Sequence, residues 1–333
     1  MAKMTKQTAL TIVLLNFVAM FLFLNFVSTF NFAVNDTGRA MSSSVDAHLR
    51  GGADGVAAET VPVEEARLAD GCYHVFLDVG ANIGVHGRFL FEPDQYPDAV
   101  VAQRLFNKEF GTSRDNRDFC VFAFEPNPSQ HPKIRAKEEA YAAMGWRYHL
   151  IPHGVSDEDS SLTFFRRGDE KRSEWGFNAL LTEVNGKDAV KVEVPVVRLA
   201  RWIEQHVSDR RLPTTVHGDY TGIADGHDGV PKVVMKMDIE AMEFRVLPDL
   251  LYSGVFCRDL DYVFGELHGN KKWYPMELPN GVRFKNGAAG LSYLRSFTSA
   301  VNANPHCATR FEEEDDEAYL LDGIPLPTPS KEA

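Results

Sequence analysis

Hydrophobic and polar positions divide this chain into an apolar head, a small-residue connector and a long alternating body. Gln7 to Asn35 carry no charge. Their apolar heart, Ala9 to Val34, spans about 39 Å as a helix at 1.5 Å per residue. That exceeds a hydrocarbon core of ~30 Å, so the run is long enough to cross a bilayer with tilt. Asn16, Asn25 and Asn31 are costs that a spanning helix carries better than charges. The rival reading is a cleavable signal peptide, but its apolar region is usually shorter, and neither Ser28 to Phe30 nor Ala33 to Asn35 makes a good cleavage site. An uncleaved anchor over residues 1–34 is therefore expected. Lys3 and Lys6 place its start in the cytosol, which makes a single-pass, type II arrangement with the remaining chain lumenal or extracellular. Residues 35–70, with Met41 to Ser44, Gly51, Gly52 and Gly55, read as a flexible stem.

From Cys72 the pattern changes to short apolar runs separated by amphipathic stretches. Tyr73 to Val79, Val121 to Phe124, Trp146 to Pro152, Val233 to Ile239 and Leu260 to Leu267 read as strands, and Val192 to Val197 alternates weakly. His131 to Ala143, Leu199 to Val207, Glu240 to Leu251 and Ala288 to Val301 read as helices. Strands alternating with helices predict an α/β fold with a mostly parallel sheet covered on both faces. Arg88–Asp118 and Leu212–Gly229 read as long loops, and no internal repeat is visible. Of the 333 residues, 71–326 remain for one domain with insertions, followed by a tail at 327–333.

Composition narrows the function classes. Lys plus Arg is 35 and Asp plus Glu is 47, so the formal charge is −12. Such a balance is poor for phosphate neutralisation, and nucleic acid is excluded as a partner. Six consecutive acids, Glu312 to Glu317, supply half of that charge and read as a solvated surface. Four cysteines without CxxC spacing argue against a structural zinc site.

Ligands of open α/β sheets bind outside the carboxyl ends of the strands, so the chemistry is sought there. The first strand runs into Asp78, Gly80, Asn82 and Gly84, where glycines four apart allow a tight turn and a close ligand. The second ends at Glu125, an acid suited to two ribose hydroxyls. A dinucleotide site expects three glycines for the pyrophosphate, and position 82 is Asn.

Together, Phe76 to Gly84, the string Phe124, Glu125, Pro126, Asn127, the run Lys236, Asp238, Glu240, and Glu266 with His268 resemble four ordered landmarks of the FkbM-type methyltransferases. Gly154 to Asp157 with Leu162 to Phe165, and Cys307 to Gly323, extend the resemblance over roughly Tyr73 to Asp322, the last toward a membrane-anchored eukaryotic branch. One landmark departs: the family usually has glycine where Ala241 stands. The resemblance implies a class I, Rossmann-like methyltransferase fold with a seven-stranded, mostly parallel sheet, and S-adenosylmethionine as cofactor. It implies that Gly80, Asn82 and Gly84 cradle the methionine end, that Asp78 orients its ammonium, that Glu125 takes the ribose hydroxyls, and that Asp157 meets the adenine edge.

Asp238, Glu240, Glu243, Glu266 and His268 all lie at or after the fourth and fifth strand ends. Methyl transfer to an alcohol benefits from a base within hydrogen-bond reach. His268 and Asp238 are the first candidates for base or substrate-orienting pair, with Glu266 beside them. The bland readings are a half-buried strand lysine for Lys236 and a solvated helix acid for Glu243. Asp238, Glu266 and His268 also offer divalent-metal ligands, but no spacing forces a site and none is assigned. The resemblance favours O-methylation of a glycan, or of a related secreted or lipid-like small molecule. Asn270 to Tyr274, Trp175 and Phe177 are aromatic candidates for contacting it. In a lumenal protein the thiols meet an oxidising environment. The resemblance then implies a Cys257–Cys307 disulfide, and adjacent first and second strands allow Cys72–Cys120. The competing readings are a fold-retaining scaffold without catalysis, favoured by Ala241, and a methyltransferase released by signal cleavage or sent to another organelle.

Overall fold

The computed structural model describes residues 66–167, 189–220, 229–269, 281, 283–316 and 322–329. Nine strands are described: β1 His74–Val79, β2 Phe119–Phe124, β3 Arg147–Ile151, β4 Gly154–Ser156, β5 Ser160–Arg167, β6 Ala189–Arg198, β7 Val233–Met237, β8 Tyr262–Gly265 and β9 Arg310–Glu312. The helices are α1 Val85–Phe91, α2 Val100–Phe110, α3 His131–Ala143, α4 Leu199–His206, α5 Glu243–Tyr252, α6 Val255–Asp259 and α7 Gly287–Asn302.

β1, β2 and β7 are buried at every position, because each is covered on both faces by helices. Their side chains alternate between two cores. Val75, Leu77 and Val79 point with Phe122 and Phe124 into a core closed by α4, α5, α6 and α7. Phe76, Val121 and Ala123 point the other way, against α1, α2 and α3. The main sheet has the order β3-β2-β1-β7-β8-β9, and every neighbouring pair is parallel.

Six strands are described in this sheet where seven were expected, and the difference lies in β6. Val194 and Val196 are buried while Lys191, Glu193 and Pro195 are exposed. A strand with one wet face belongs in an antiparallel pairing. Accordingly β6 pairs antiparallel with β5 and parallel with β4 in a separate three-stranded sheet. The weak alternation of Val192 to Val197 carried that information.

Arg88–Asp118, read as a loop, contains most of α1 and all of α2. All seven residues of α1 are buried, so it shows no amphipathic period. α2 does bury Ala102, Leu105, Phe106 and Phe110 at helical spacing, a signal that was present.

Disulfides join Cys72 to Cys120 and Cys257 to Cys307. Sequence separations of 48 and 50 residues correspond to about 4 kcal/mol each on the chain-entropy account.

The acid run is a solvated surface only in part: Glu313 and Glu314 are exposed, but the two aspartates turn inward. β9 pairs with β8, Asp315 and Asp316 are buried, and Asp316 accepts from the Ala102 N–H at 2.6 Å. Glu313 pairs with Arg295 and Glu314 with Arg104. Further on, Asp322 is locked to Arg88 at 2.6 Å, so the carboxyl segment is tied to α1.

Among the described residues no helix is long and apolar enough to cross a membrane. The uncharged run Gln7 to Asn35, residues 35–65 of the expected stem, Trp175, Phe177 and Asn270 to Tyr274 lie outside the described residues, whereas the end of that stem is part of the domain: Ala69 is buried in the core and Asp70 pairs with Arg211.

Candidate functional site

The chain moves outward from β1 through β2 to β3 and returns as β7 on the other side of β1. The direction of winding therefore reverses between β1 and β7, and the crevice beyond their carboxyl ends is the expected ligand position. Gly80, Asn82, Glu125, Asp238 and Glu240 line a cleft there. At Gly80 the backbone turns with φ 85°, and a Cβ on it would stand 1.8 Å from the Asp238 carbonyl oxygen. The two strand ends are thus pressed together, and only glycine fits. Asn82 takes the left-handed conformation at φ 51°, and Gly84 caps the start of α1.

Glu125 is held by two backbone donors. Its carboxylate accepts from the Asn82 N–H at 2.6 Å and from the Asn127 N–H at 2.7 Å. Burial nevertheless pushes its carboxyl up to about 8, against those two donors. Asp78 is fully buried beneath the turn, and neither of its side-chain oxygens has a hydrogen-bond partner among the described residues. Burial raises its pKa as well. The Asn127 side-chain nitrogen is likewise buried and unpartnered among the described residues. These orphaned groups beside a glycine turn fit a ligand that carries polar groups of its own.

The far wall is apolar, formed by Val155, Phe164, Ile239 and Met242, with His153 beside them. Asp78, Gly84 and Asp157 are not among the lining residues; the first two lie beneath the turn, and Asp157 is engaged elsewhere. Its carboxylate pairs with Arg245 at 2.6 Å and accepts from the Ser156 hydroxyl.

Asp238, Glu266 and His268 do come together. His268 Nε2 lies 3.6 Å from Asp238 and 3.4 Å from Glu266. Its Nδ1 meets the Glu243 carboxylate at 3.0 Å. Glu243, for which a solvated helix acid was the bland reading, is 0% exposed and also accepts from the Ile239 N–H. Burial would push His268 down, but its hydrogen bonds to Glu243 and Glu266 outweigh it and push it up to about 11. Burial raises the carboxyl of Glu243.

Glu240 and Ala241 stand at φ 53° and 78°. Ala241 thus occupies a left-handed position where a side chain costs about 1–2 kcal/mol and where the glycine expected from the resemblance would cost less.

Beneath the cleft Lys236 is 2% exposed, far more buried than a strand lysine with its head in water. Its ammonium touches Asp238 at 3.3 Å, Asp315 at 3.5 Å and the Gly80 carbonyl at 3.3 Å. Asp315 also meets His86 Nε2 at 2.7 Å. Burial opposes both charges, yet Asp238 and Asp315 hold Lys236 above its ordinary value, while Lys236 and His86 hold Asp315 below its own. Asp315 was missed because one acid of six in a row carries no mark that it turns inward.

No curated protein and no solved structure matches this chain. A family model described as the methyltransferase FkbM domain matches residues 78–274, more than half of the chain, from Asp78 at the end of β1 to beyond His268. The glycine turn at Gly80 and the acids at the ends of β2 and β7 all fall within that match, and the chain belongs to the FkbM methyltransferase family.

Proposed function

We propose that this methyltransferase uses S-adenosylmethionine to O-methylate a hydroxyl of a glycan or a related secreted or lipid-like molecule. The observation that carries the reading is the Asp78–Gly80–Glu125 cradle. It combines a buried acid with unpartnered oxygens, a backbone turn open only to glycine, and a carboxylate fixed by two N–H groups. Those groups fit an ammonium, a closely approaching chain and a pair of ribose hydroxyls. Val155, Phe164 and Met242 offer a flat ring an apolar wall. Asp157 is left out of the set because Arg245 holds its carboxylate.

When bound, S-adenosylmethionine supplies an electrophilic methyl group on a cationic sulfur. The chain's own residues align and deprotonate the acceptor. Glu125 would accept hydrogen bonds from the ribose hydroxyls, and Asp78, buried beneath the turn, would meet the ammonium directly or through a water. At the other end of the cleft the acceptor hydroxyl donates to Asp238 or Glu266, which takes its proton late in the transfer. His268, held between Glu243 and Glu266, orients those carboxylates in place of acting as the base.

Calorimetric titration of the full-length chain with S-adenosylmethionine is expected to give saturable heat; silence at high micromolar cofactor overturns the reading. Labelled methyl transferred to fractionated acceptors should resist mild base, as an ether does, whereas a base-labile label would move the chemistry to a carboxylate.

Glu125 also predicts a pH dependence. Ribose hydroxyls donate to the ionised carboxylate, and its pKa of about 8 leaves it mostly protonated at pH 6. Asp78 opposes ionisation, Lys236 favours it, and His131 Nε2 reaches only the Glu125 backbone oxygen. Affinity should therefore rise between pH 6 and 8, by up to about tenfold per unit. Glu125→Gln should flatten that profile and weaken binding at pH 8 by roughly 10- to 100-fold. An unchanged profile would remove the ribose assignment.

The proposal places the domain on the lumenal side of a secretory membrane, anchored by residues 1–34. Two disulfides and no free cysteine support an oxidising compartment. Non-reducing peptide mapping of the chain made in its own cells should recover both bridges, and four free thiols would contradict that address.

A further inference from the structure

We infer that Asp238, Glu240 and His268 form a divalent-cation site, a hard-to-borderline one of the Mn2+ type, at the acceptor end of the cleft. One ligand atom from each of the three lies within 4.8 Å of the others. Nothing in the spacing along the chain announces the site. It exists because β7 and β8 are parallel neighbours and end side by side.

The donor set comes first. Two carboxylates and an imidazole suit a divalent cation that accepts oxygen and nitrogen ligands, and with both cysteine pairs oxidised no thiolate competes for a softer metal. Glu266, 3.4 Å from His268 Nε2, places a further carboxylate beside the group.

The second observation is independent of the donor set. His268 turns Nδ1 to Glu243, which is wholly buried, leaving Nε2 directed at Asp238 and Glu266. A buried carboxylate behind an imidazole fixes the ring and its tautomer and raises its basicity, as metal-bound histidines require. Lys236 adds to this by holding one oxygen of Asp238, while the other faces His268. A cation there replaces the proton on Nε2 as the positive centre among the carboxylates. Its link to catalysis, as the holder of the acceptor hydroxyl, rests on the methyltransferase reading; the site itself does not.

The test is a titration of Mn2+ into the full-length chain, followed by the electron paramagnetic resonance signal of free Mn2+. The expected result is the loss of one equivalent of free signal per chain. Asp238→Asn and His268→Gln should each weaken binding by at least about tenfold, and Glu243→Gln, which touches no metal, by roughly 10- to 100-fold. Glu313→Gln, an exposed acid paired with Arg295, should leave it unchanged. Full free signal at millimolar Mn2+ overturns the proposal, as does binding that survives both Asp238→Asn and His268→Gln. If Glu243→Gln fails to fold, the partly exposed Asp238 still decides. Calorimetry with S-adenosylmethionine on the same samples separates the two readings. Cofactor heat without Mn2+ binding removes the metal site alone, and Mn2+ binding without cofactor heat removes the cofactor reading alone.

Discussion

Lys236→Met is expected to lower the unfolding free energy by about 3–5 kcal/mol, the cost of stranding buried charges. The ammonium is the cation that Asp238 and Asp315 share, and it also ties the Gly80 carbonyl to the end of β7. Methionine fills the space but leaves Asp315, 3% exposed at its side chain, with His86 and the Asp316 N–H and no full cation beside it. For a domain of this size each kcal/mol is worth about 2–4 °C, so thermal unfolding should move down by roughly 6–20 °C. The loss should be partly repaired in Lys236→Met/Asp315→Asn, with a coupling of about 1–3 kcal/mol between the two positions. Additive losses would mean that the lysine and the carboxyl segment act separately. Because Lys236 also borders the Gly80 turn, the single variant should weaken S-adenosylmethionine binding even where it remains folded.

That linkage shows where sequence reasoning stops. The strands β1, β2, β7 and β8 were legible because each is a short apolar run ending in a chemical residue. Strand ends of a parallel sheet converge, so Gly80, Glu125, Asp238 and His268 were placed together by rule. The resemblance implied Cys257–Cys307, whereas adjacency of β1 and β2 only allowed Cys72–Cys120, which the structure also forms. What remained hidden was decided by tertiary environment. Glu243 in α5 has the spacing of any exposed helix acid, yet it is sealed behind His268. Asp315 belongs to a run whose other described acids pair at the surface or cap α2, and nothing local distinguishes it. α1 has no polar face because it is buried all round, so its sequence shows no period to detect. In each case a polar or irregular residue is tolerated because of a partner more than about twenty positions away along the chain, or because of complete enclosure.

The same two strand ends make Gly80 the position least able to change. Gly80→Ala should cost about 4 kcal/mol or more, the range that marks a named structural failure, and should abolish S-adenosylmethionine binding. Two effects add. A side chain at φ 85° costs about 1–2 kcal/mol by itself. The new Cβ would also stand 1.8 Å from the Asp238 carbonyl oxygen and 2.8 Å from its carbon, atoms of a backbone that cannot swing aside. Relief requires the end of β7 to retreat from β1. That movement would break the Asp238 N–H bond to the Val79 carbonyl, now 3.0 Å, and displace Asp238 from His268. Gly254 supplies the control, because its φ is 81° but a Cβ there meets nothing within 4 Å. Gly254→Ala should therefore pay only the conformational term, about 1–2 kcal/mol, with cofactor binding intact. Thermal unfolding and calorimetry on the two variants isolate the clash: equal destabilisation would show that the strand ends are not in contact, and a Gly80→Ala protein that binds cofactor normally would move the site away from the β1–β7 junction.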